Sequence, residues 1–220
     1  MNNIPRAILE GHLRFALKRV SGRLLNAGCG DQTYEQMYLP YIQSQIRYDW
    51  PKTIHDRRMI DVYGDVSRLP FHNESFDTVW CTEVLEHVPD PAAVLAEFER
   101  VTKPGGCLVL STPFLYQIHE SPFDFYRYTF FGLKHLLTDR GFIIDHCFAR
   151  GGILGVVIFF VRKLLHRILS KLLGIRIAKK VPLMLLDRLY LFLAGKRARF
   201  MNGETTSYTL GYTVIASKPA

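Results

Sequence analysis

Asn26-Ala-Gly28-Cys-Gly30-Asp31 sets two glycines and a carboxylate in one tight turn, and the charge of that turn limits what it can bind. Glycines let a backbone approach a ligand closely, but the third glycine of a dinucleotide fingerprint is missing, and Asp31 would repel a pyrophosphate seated on a helix start. A cationic nucleoside without phosphate fits better. Asp49 stands nineteen positions beyond Gly30, where an acid can accept hydrogen bonds from both ribose hydroxyls. Asp65 follows a further β-like run and can accept from an adenine amino group. From Ser111 to Thr129 the chain is dense in aromatic and ionisable residues. His119 is the candidate general base there, the alternative being a structural histidine bonded to a neighbouring carbonyl. Arg127 either grips a carboxylate or phosphate of a substrate or pairs with Asp124, and Tyr126 either faces the substrate or packs in the core. His119, Glu120 and Asp124 lack the spacing of a metal site, so no metal is expected.

These residues need a scaffold that gathers their loops at one edge. Residues 5–20 carry Ile8, Leu9, Leu13, Ala16, Leu17 and Val20 at helical spacing, and Arg23-Leu-Leu-Asn-Ala reads as a strand entering the glycine turn. Short β-like runs follow at 45–49, 60–64, 76–81, 107–111 and 142–147, with helical patterns at 92–102 and 130–140. Pro91 marks the first turn of one helix, and Lys103-Pro-Gly-Gly106 is expected to stop it ahead of the next strand. Strands alternating with helices mean an α/β fold with a mostly parallel sheet covered on both faces, and ligands then bind beyond the carboxyl ends of its strands. Tyr208–Ala216 supplies a closing strand.

The series Gly-Asp-Val-Ser-Arg-Leu-Pro-Phe71, Ser-Phe-Asp77-Thr-Val, Glu83-Val-Leu-Glu-His87-Val and Lys103-Pro-Gly-Gly106, in that order behind Gly28-Cys-Gly30, resembles class I S-adenosylmethionine-dependent methyltransferases of the small-molecule group. The resemblance runs from about Leu24 to Phe142 and resumes at the final strand. It implies a Rossmann-like seven-stranded sheet whose last strand is antiparallel. It implies S-adenosylmethionine as cofactor, a phosphate-free nucleoside with a sulfonium, its methionine end at Gly28 and Gly30, its ribose at Asp49 and its adenine near Asp65 and Val66. Glu83 and His87 match the motif at the rim shared by cofactor and substrate. Asn26 stands where the family usually has an acid and Gln32 where it usually has a glycine; Asn26 can order the turn by hydrogen bonding but brings no charge to the cofactor's ammonium group.

The 220 residues are expected to form one methyltransferase domain, with 151–200 as a basic amphipathic helical insert before the last strand. Four dispersed cysteines read as buried, reduced thiols. Of the net charge of +8, residues 151–200 hold eleven Lys and Arg against the single acid Asp187, so the remainder of the chain is slightly acidic and nucleic acid is not an expected partner. Gly151–Val161 is apolar but too short to span a bilayer. Leu164, Leu165, Ile168, Leu169 and Leu172 recur at helical spacing opposite Arg162, Lys163, Arg167 and Lys171, and a second apolar run spans 181–194. That pattern suits an anionic membrane surface; the alternative is a lid packed on the sheet or an interface. The start shows no secretory signal, so the expected location is cytoplasmic and peripheral on the inner membrane face. The expected activity is O-methylation of a small or lipid-linked acceptor, with a glycan precursor foremost. Ring methylation of a quinone and a non-catalytic cofactor-binding module are the alternatives.

Overall fold

The computed structural model describes residues 4–173 and 201–220. Helix α1 (Ile4–Ala16) leads into β1 (Arg23–Ala27), the one-turn α2 (Glu35–Tyr38), β2 (Ser44–Asp49), the two-residue β3 (Val62–Tyr63) and β4 (Phe76–Thr82). Then come α3 (Pro91–Val101), β5 (Thr102–Pro113), α4 (Phe130–Thr138), β6 (Ile143–Ala149), α5 (Gly152–Leu173), β7 (Met201–Asn202) and β8 (Gly211–Ser217). The helix starts are capped as their sequences require: the Asp90 carboxylate accepts from the Ala93 amide ahead of Pro91, and the Thr129 hydroxyl accepts from the Gly132 amide.

All strands join one sheet in the order β3-β2-β1-β4-β5-β8-β6-β7. Strands β1 to β5 pair in parallel, and β8 lies antiparallel between β5 and β6. This is the seven-stranded arrangement expected from the sequence, extended at its edge by the two-residue β7. Several boundaries shift by a few residues, and the start of β5 shifts most. Strand pairing reaches back to Thr102 through Lys103-Pro-Gly-Gly106, with a register shift between Phe76 and Thr78, because the closing segment pairs there: the Gly105 amide donates to the Lys218 carbonyl and the Lys218 amide to the Gly106 carbonyl.

Successive strand residues face opposite sides, so the apolar runs feed two cores. Leu25, Val79 and Leu108 pack with Val94, Phe98 and Leu133 of α3 and α4 on one face. Leu24, Trp80 and Val109 pack with Leu9, Leu13 and Ala16 of α1 on the other. The four cysteines are free thiols, and burial pushes those of Cys29, Cys107 and Cys147 up to about 12.

Helix α5 is seated through Phe159, which is buried and stacks on Tyr116 with ring centroids 5.5 Å apart, while Lys163 Nζ donates to Gln117 Oε1 at 3.1 Å. Farther along, Leu164, Ile168 and Leu172 are 58%, 43% and 74% exposed, so this stripe is not packed on the sheet as a lid would be. The run 181–194 lies outside the described residues. Among the described residues no helix is long and apolar enough to cross a membrane.

Phe98→Ala should cost about 3–5 kcal/mol and lower Tm by roughly 6–20 °C, whereas Leu172→Ser should move it by only a degree or two, measured by thermal unfolding. A large loss of stability from Leu172→Ser would mean that this face is covered.

Candidate functional site

The loops at the carboxyl ends of β1, β2, β4 and β5 enclose one cavity of about 750 Å³. At its floor the Asn26 side chain is buried and donates to the Tyr38 hydroxyl at 2.8 Å, which itself donates to Gln45 Oε1. The amides of Gly28 and Cys29 both donate to the Tyr48 carbonyl, clamping the turn to β2. Gly28 has φ +71°, and a Cβ there would lie 2.3 Å from a methyl carbon of Val84, so backbone alone fits between β1 and the loop after β4. Asp49 is 7% exposed; its Oδ2 accepts from the Gly30 amide at 2.7 Å and its Oδ1 from the Trp50 amide at 2.6 Å. Oδ1 retains a lone pair for a ligand hydroxyl, and the second lone pair of Oδ2 is met only by the weak Cys29 thiol donor at 3.8 Å, which a ligand hydroxyl can displace.

Asp31 does more than set the charge of the turn. Its carboxylate accepts from the Asp56 amide at 2.9 Å and meets His55 Nδ1 at 3.2 Å, and the Asp56 amide bond is the main cause holding its pKa below the usual carboxylate range. It thereby draws the loop after β2 over the cavity mouth. Asp65 Oδ1 accepts from both the amide and the hydroxyl of Ser67, with Val66 buried beside it.

The other wall is built on the turn after β4. Glu83 takes a left-handed conformation, φ +56°, and its amide donates to the Ser111 carbonyl. Its Oε1 accepts from the Ser111 hydroxyl at 2.8 Å and from an Arg150 amino group at 2.5 Å. Arg150 is 3% exposed and also donates to the carbonyls of Thr112 and Tyr212. Sequence reasoning missed this arginine; the one signal was a cation at a strand end just before two glycines. Although Glu83 lines the cavity, its carboxylate is committed to this lock, so the expected contact with cofactor is narrowed to what its exposed edge can offer.

Behind it, Glu86 is completely buried and, among the described residues, neither carboxylate oxygen has a hydrogen-bond partner. Desolvation first, and the charge of Glu83 second, push its pKa well above the ordinary carboxylate value. Its burial could not be read from sequence. His87 Nε2 lies 3.6 Å and His119 Nε2 3.8 Å from Glu86 Oε1, and both rings line the cavity. His87 Nδ1 is 2.7 Å from the Phe123 carbonyl, and His119 Nδ1 is 3.3 Å from both the Gln117 carbonyl and Asp124 Oδ2.

The cavity lining thus brings together Asn26, Gly28, Gly30, Asp49, Asp65, Val66, Glu83, His87 and His119. Tyr126 and Arg127 are the corrections. The Tyr126 hydroxyl donates to the Pro89 carbonyl, and Arg127 makes a bidentate pair with Asp124 at 2.5 and 2.7 Å, holding that carboxyl well below the usual range; neither residue lines the cavity. Their polar groups are spent in bracing the loop that carries His119.

The cavity fits S-adenosylmethionine on its own geometry: a close-approach glycine turn, an acid that can accept from ligand hydroxyls a strand away, and the Asp31 carboxylate at the mouth. Residues 25–110 match the family described as a methyltransferase domain. Over short stretches the chain is 47% identical to a demethylmenaquinone methyltransferase of Mycobacterium marinum, across 27% of each chain. It is 64% identical to a ubiquinone biosynthesis O-methyltransferase of Hahella chejuensis, across 18% of this chain and 16% of that one. The chain thus spans under a third of the length of these two curated relatives. A solved S-adenosylmethionine-dependent methyltransferase of Mesorhizobium loti superposes with a TM-score of 0.59 at 16% identity, covering 98% of this chain and all of that one. Residues 25–110 therefore match a methyltransferase domain, set in a fold shared with S-adenosylmethionine-dependent methyltransferases.

Asp49→Ala removes the acceptor for ribose and should weaken S-adenosylhomocysteine binding by about 1.5–3 kcal/mol, roughly 10- to 150-fold, in calorimetry. Unaltered affinity would place the nucleoside elsewhere.

Proposed function

We propose that the chain methylates a hydroxyl oxygen of a small or lipid-linked acceptor at the inner surface of a membrane, a glycan precursor being the foremost acceptor class. The observation that carries this reading is the continuity of the cavity from Gly28 and Asp49 at one end to the His87 and His119 rings at the other. S-adenosylmethionine, when bound, supplies a methyl group on a sulfonium. Asp49 orients the nucleoside, with its carboxylate fixed by two backbone amides before any ligand arrives. The Gly28 turn lets the backbone hold the methionine end, and α1 roofs that end through Pro5, Arg6 and Leu9.

A hydroxyl is a poor nucleophile until its proton is drawn away, and the imidazole wall faces the space an acceptor would fill. Asp124 stands behind His119, accepting from its backbone amide at 2.9 Å, so the ring's place is fixed by a charged partner. The exposed leucine stripe of α5, anchored on the cavity residue Tyr116 through Phe159, supports a lipid-bearing acceptor delivered from a membrane surface. Ring methylation of a quinone is the second reading, favoured by the name of the demethylmenaquinone methyltransferase relative.

Transfer of labelled methyl from S-adenosylmethionine to polyprenyl-linked glycans, tested beside demethylated quinones, separates the two acceptor readings; no transfer to either class would reject both. In the active assay His119→Ala should lower kcat by about 10²–10⁴ while S-adenosylhomocysteine affinity is kept. An unchanged kcat would make His119 purely structural. The protein should co-sediment with vesicles containing anionic lipid, less so as salt rises, and Arg167→Glu with Lys171→Glu should release it. Failure to bind at low salt would remove the membrane from this reading.

A further inference from the structure

Glu86, His87 and His119 each offer a ligand atom, and these atoms lie within 4.8 Å of one another. We propose that they bind one divalent transition-metal cation, through Glu86 Oε1 and the Nε2 atoms of the two imidazoles.

Three features point the same way. The first is the carboxylate without hydrogen bonds: Glu86 is wholly buried and, among the described residues, no donor is within hydrogen-bond distance of either oxygen, a costly state for a charged group. Its separations of 3.6 and 3.8 Å from the histidine nitrogens are too long for hydrogen bonds. Two ligand atoms about 2.1 Å from a shared cation sit about 3.0–3.4 Å apart, so a small inward movement closes the set.

The second is the state of the rings. Each Nδ1 faces an acceptor, the Phe123 carbonyl for His87 and the Gln117 carbonyl with the Asp124 carboxylate for His119. Those contacts favour the proton on Nδ1 and leave the Nε2 lone pairs directed toward Glu86, the arrangement in which supporting acceptors orient metal-bound histidines.

The third is charge. The neighbouring guanidinium groups are already matched, Arg150 by Glu83 and Arg127 by Asp124, so the Glu86 carboxylate remains for a cation. Two imidazoles with one carboxylate suit zinc, iron or manganese rather than calcium or magnesium, and leave coordination positions open.

Both histidines line the cavity, so an open position faces the acceptor. The role of the cation rests on the methyl-transfer reading; its binding does not. An acceptor hydroxyl bound there loses its proton to water more readily. Its oxygen then forms the O–CH3 bond as the S–CH3 bond breaks, and that electron pair stays on sulfur, which leaves as a thioether. His119 then serves as a ligand and not as the free base.

The test titrates Zn²⁺ alone into chelator-stripped, full-length protein by calorimetry. One equivalent should bind to the wild type. Glu86→Gln and His87→Ala should each weaken it at least 100-fold while preserving the circular dichroism spectrum and S-adenosylhomocysteine affinity, and His135→Ala, an exposed histidine on α4, should keep it. Anomalous diffraction from Zn²⁺-loaded wild-type crystals, which needs no variant to fold, should show a peak between Glu86, His87 and His119. Absence of a bound equivalent, equal affinity in the variants, or a peak elsewhere overturns the site. Methyl transfer that survives complete metal removal rejects the cation's catalytic role alone, whereas metal binding without any methyl transfer rejects the proposed activity and leaves the site standing.

Discussion

The ion pair of Glu83 with the buried Arg150 is the constraint on which the active end of the fold depends. Arg150 leaves the end of β6, reaches across the carbonyls of Thr112 on β5 and Tyr212 on β8, and meets a carboxylate at the end of β4. Four strand ends are thereby held by one guanidinium. The space for it is made by Gly211, where a Cβ would lie 2.9 Å from guanidinium atoms and 2.4 Å from the Thr112 carbonyl. Removing Glu83 would leave the buried Arg150 guanidinium without its carboxylate partner, a costly state, whereas the part-exposed Glu83 can still meet solvent. By fixing Glu83 in its left-handed turn it also sets the direction of the chain into Glu86 and His87.

The cavity divides along the sheet. The loops after β1 and β3 present backbone with the Asp31 and Asp65 carboxylates, the loop after β2 adds Trp50 and His55, and those after β4 and β5 add the His87 and His119 imidazoles and aromatic rings. The two halves meet at the mouth, where His55 stands 3.2 Å from Asp31 and 3.7 Å from Glu120, and Trp50 meets Phe123 edge to face at 5.0 Å. The same bracing that occupies Arg127 and Asp124 holds His119 toward this space.

Local signals carried the part of the site that local chemistry determines. The glycine turn, the acid at the end of the second strand and the motif around Glu83 to His87 lie on consecutive strand ends of a parallel sheet, so order along the chain already implied their convergence. The helices at Pro91 and Phe130 were legible because cap, proline and apolar spacing agreed. Arg150 was not legible, because its partners come from strands far away in sequence. Neither was the burial of Glu86, since a glutamate beside a histidine reads as solvated until the loop of Phe123 and Phe125 covers it, the Phe125 amide bonding to the Glu86 carbonyl. Arg127 and Tyr126 had the right types for substrate contacts, but nearer partners, Asp124 and the Pro89 carbonyl, took their polar groups. β7 is too short for periodicity to register, and the backward reach of β5 to Thr102 reflects pairing with the end of the chain.

The central claim, that this cavity holds the nucleoside of S-adenosylmethionine against Asp49 with its amino-acid end on the Gly28 turn, is tested most directly by a crystal structure of the complex with S-adenosylhomocysteine. The account predicts both ribose hydroxyls within hydrogen-bond distance of the Asp49 carboxylate, the base beside Asp65 and Val66, and the sulfur directed toward the wall of His87 and His119. A ligand bound outside this cavity, or one with its ribose turned away from Asp49, would contradict it.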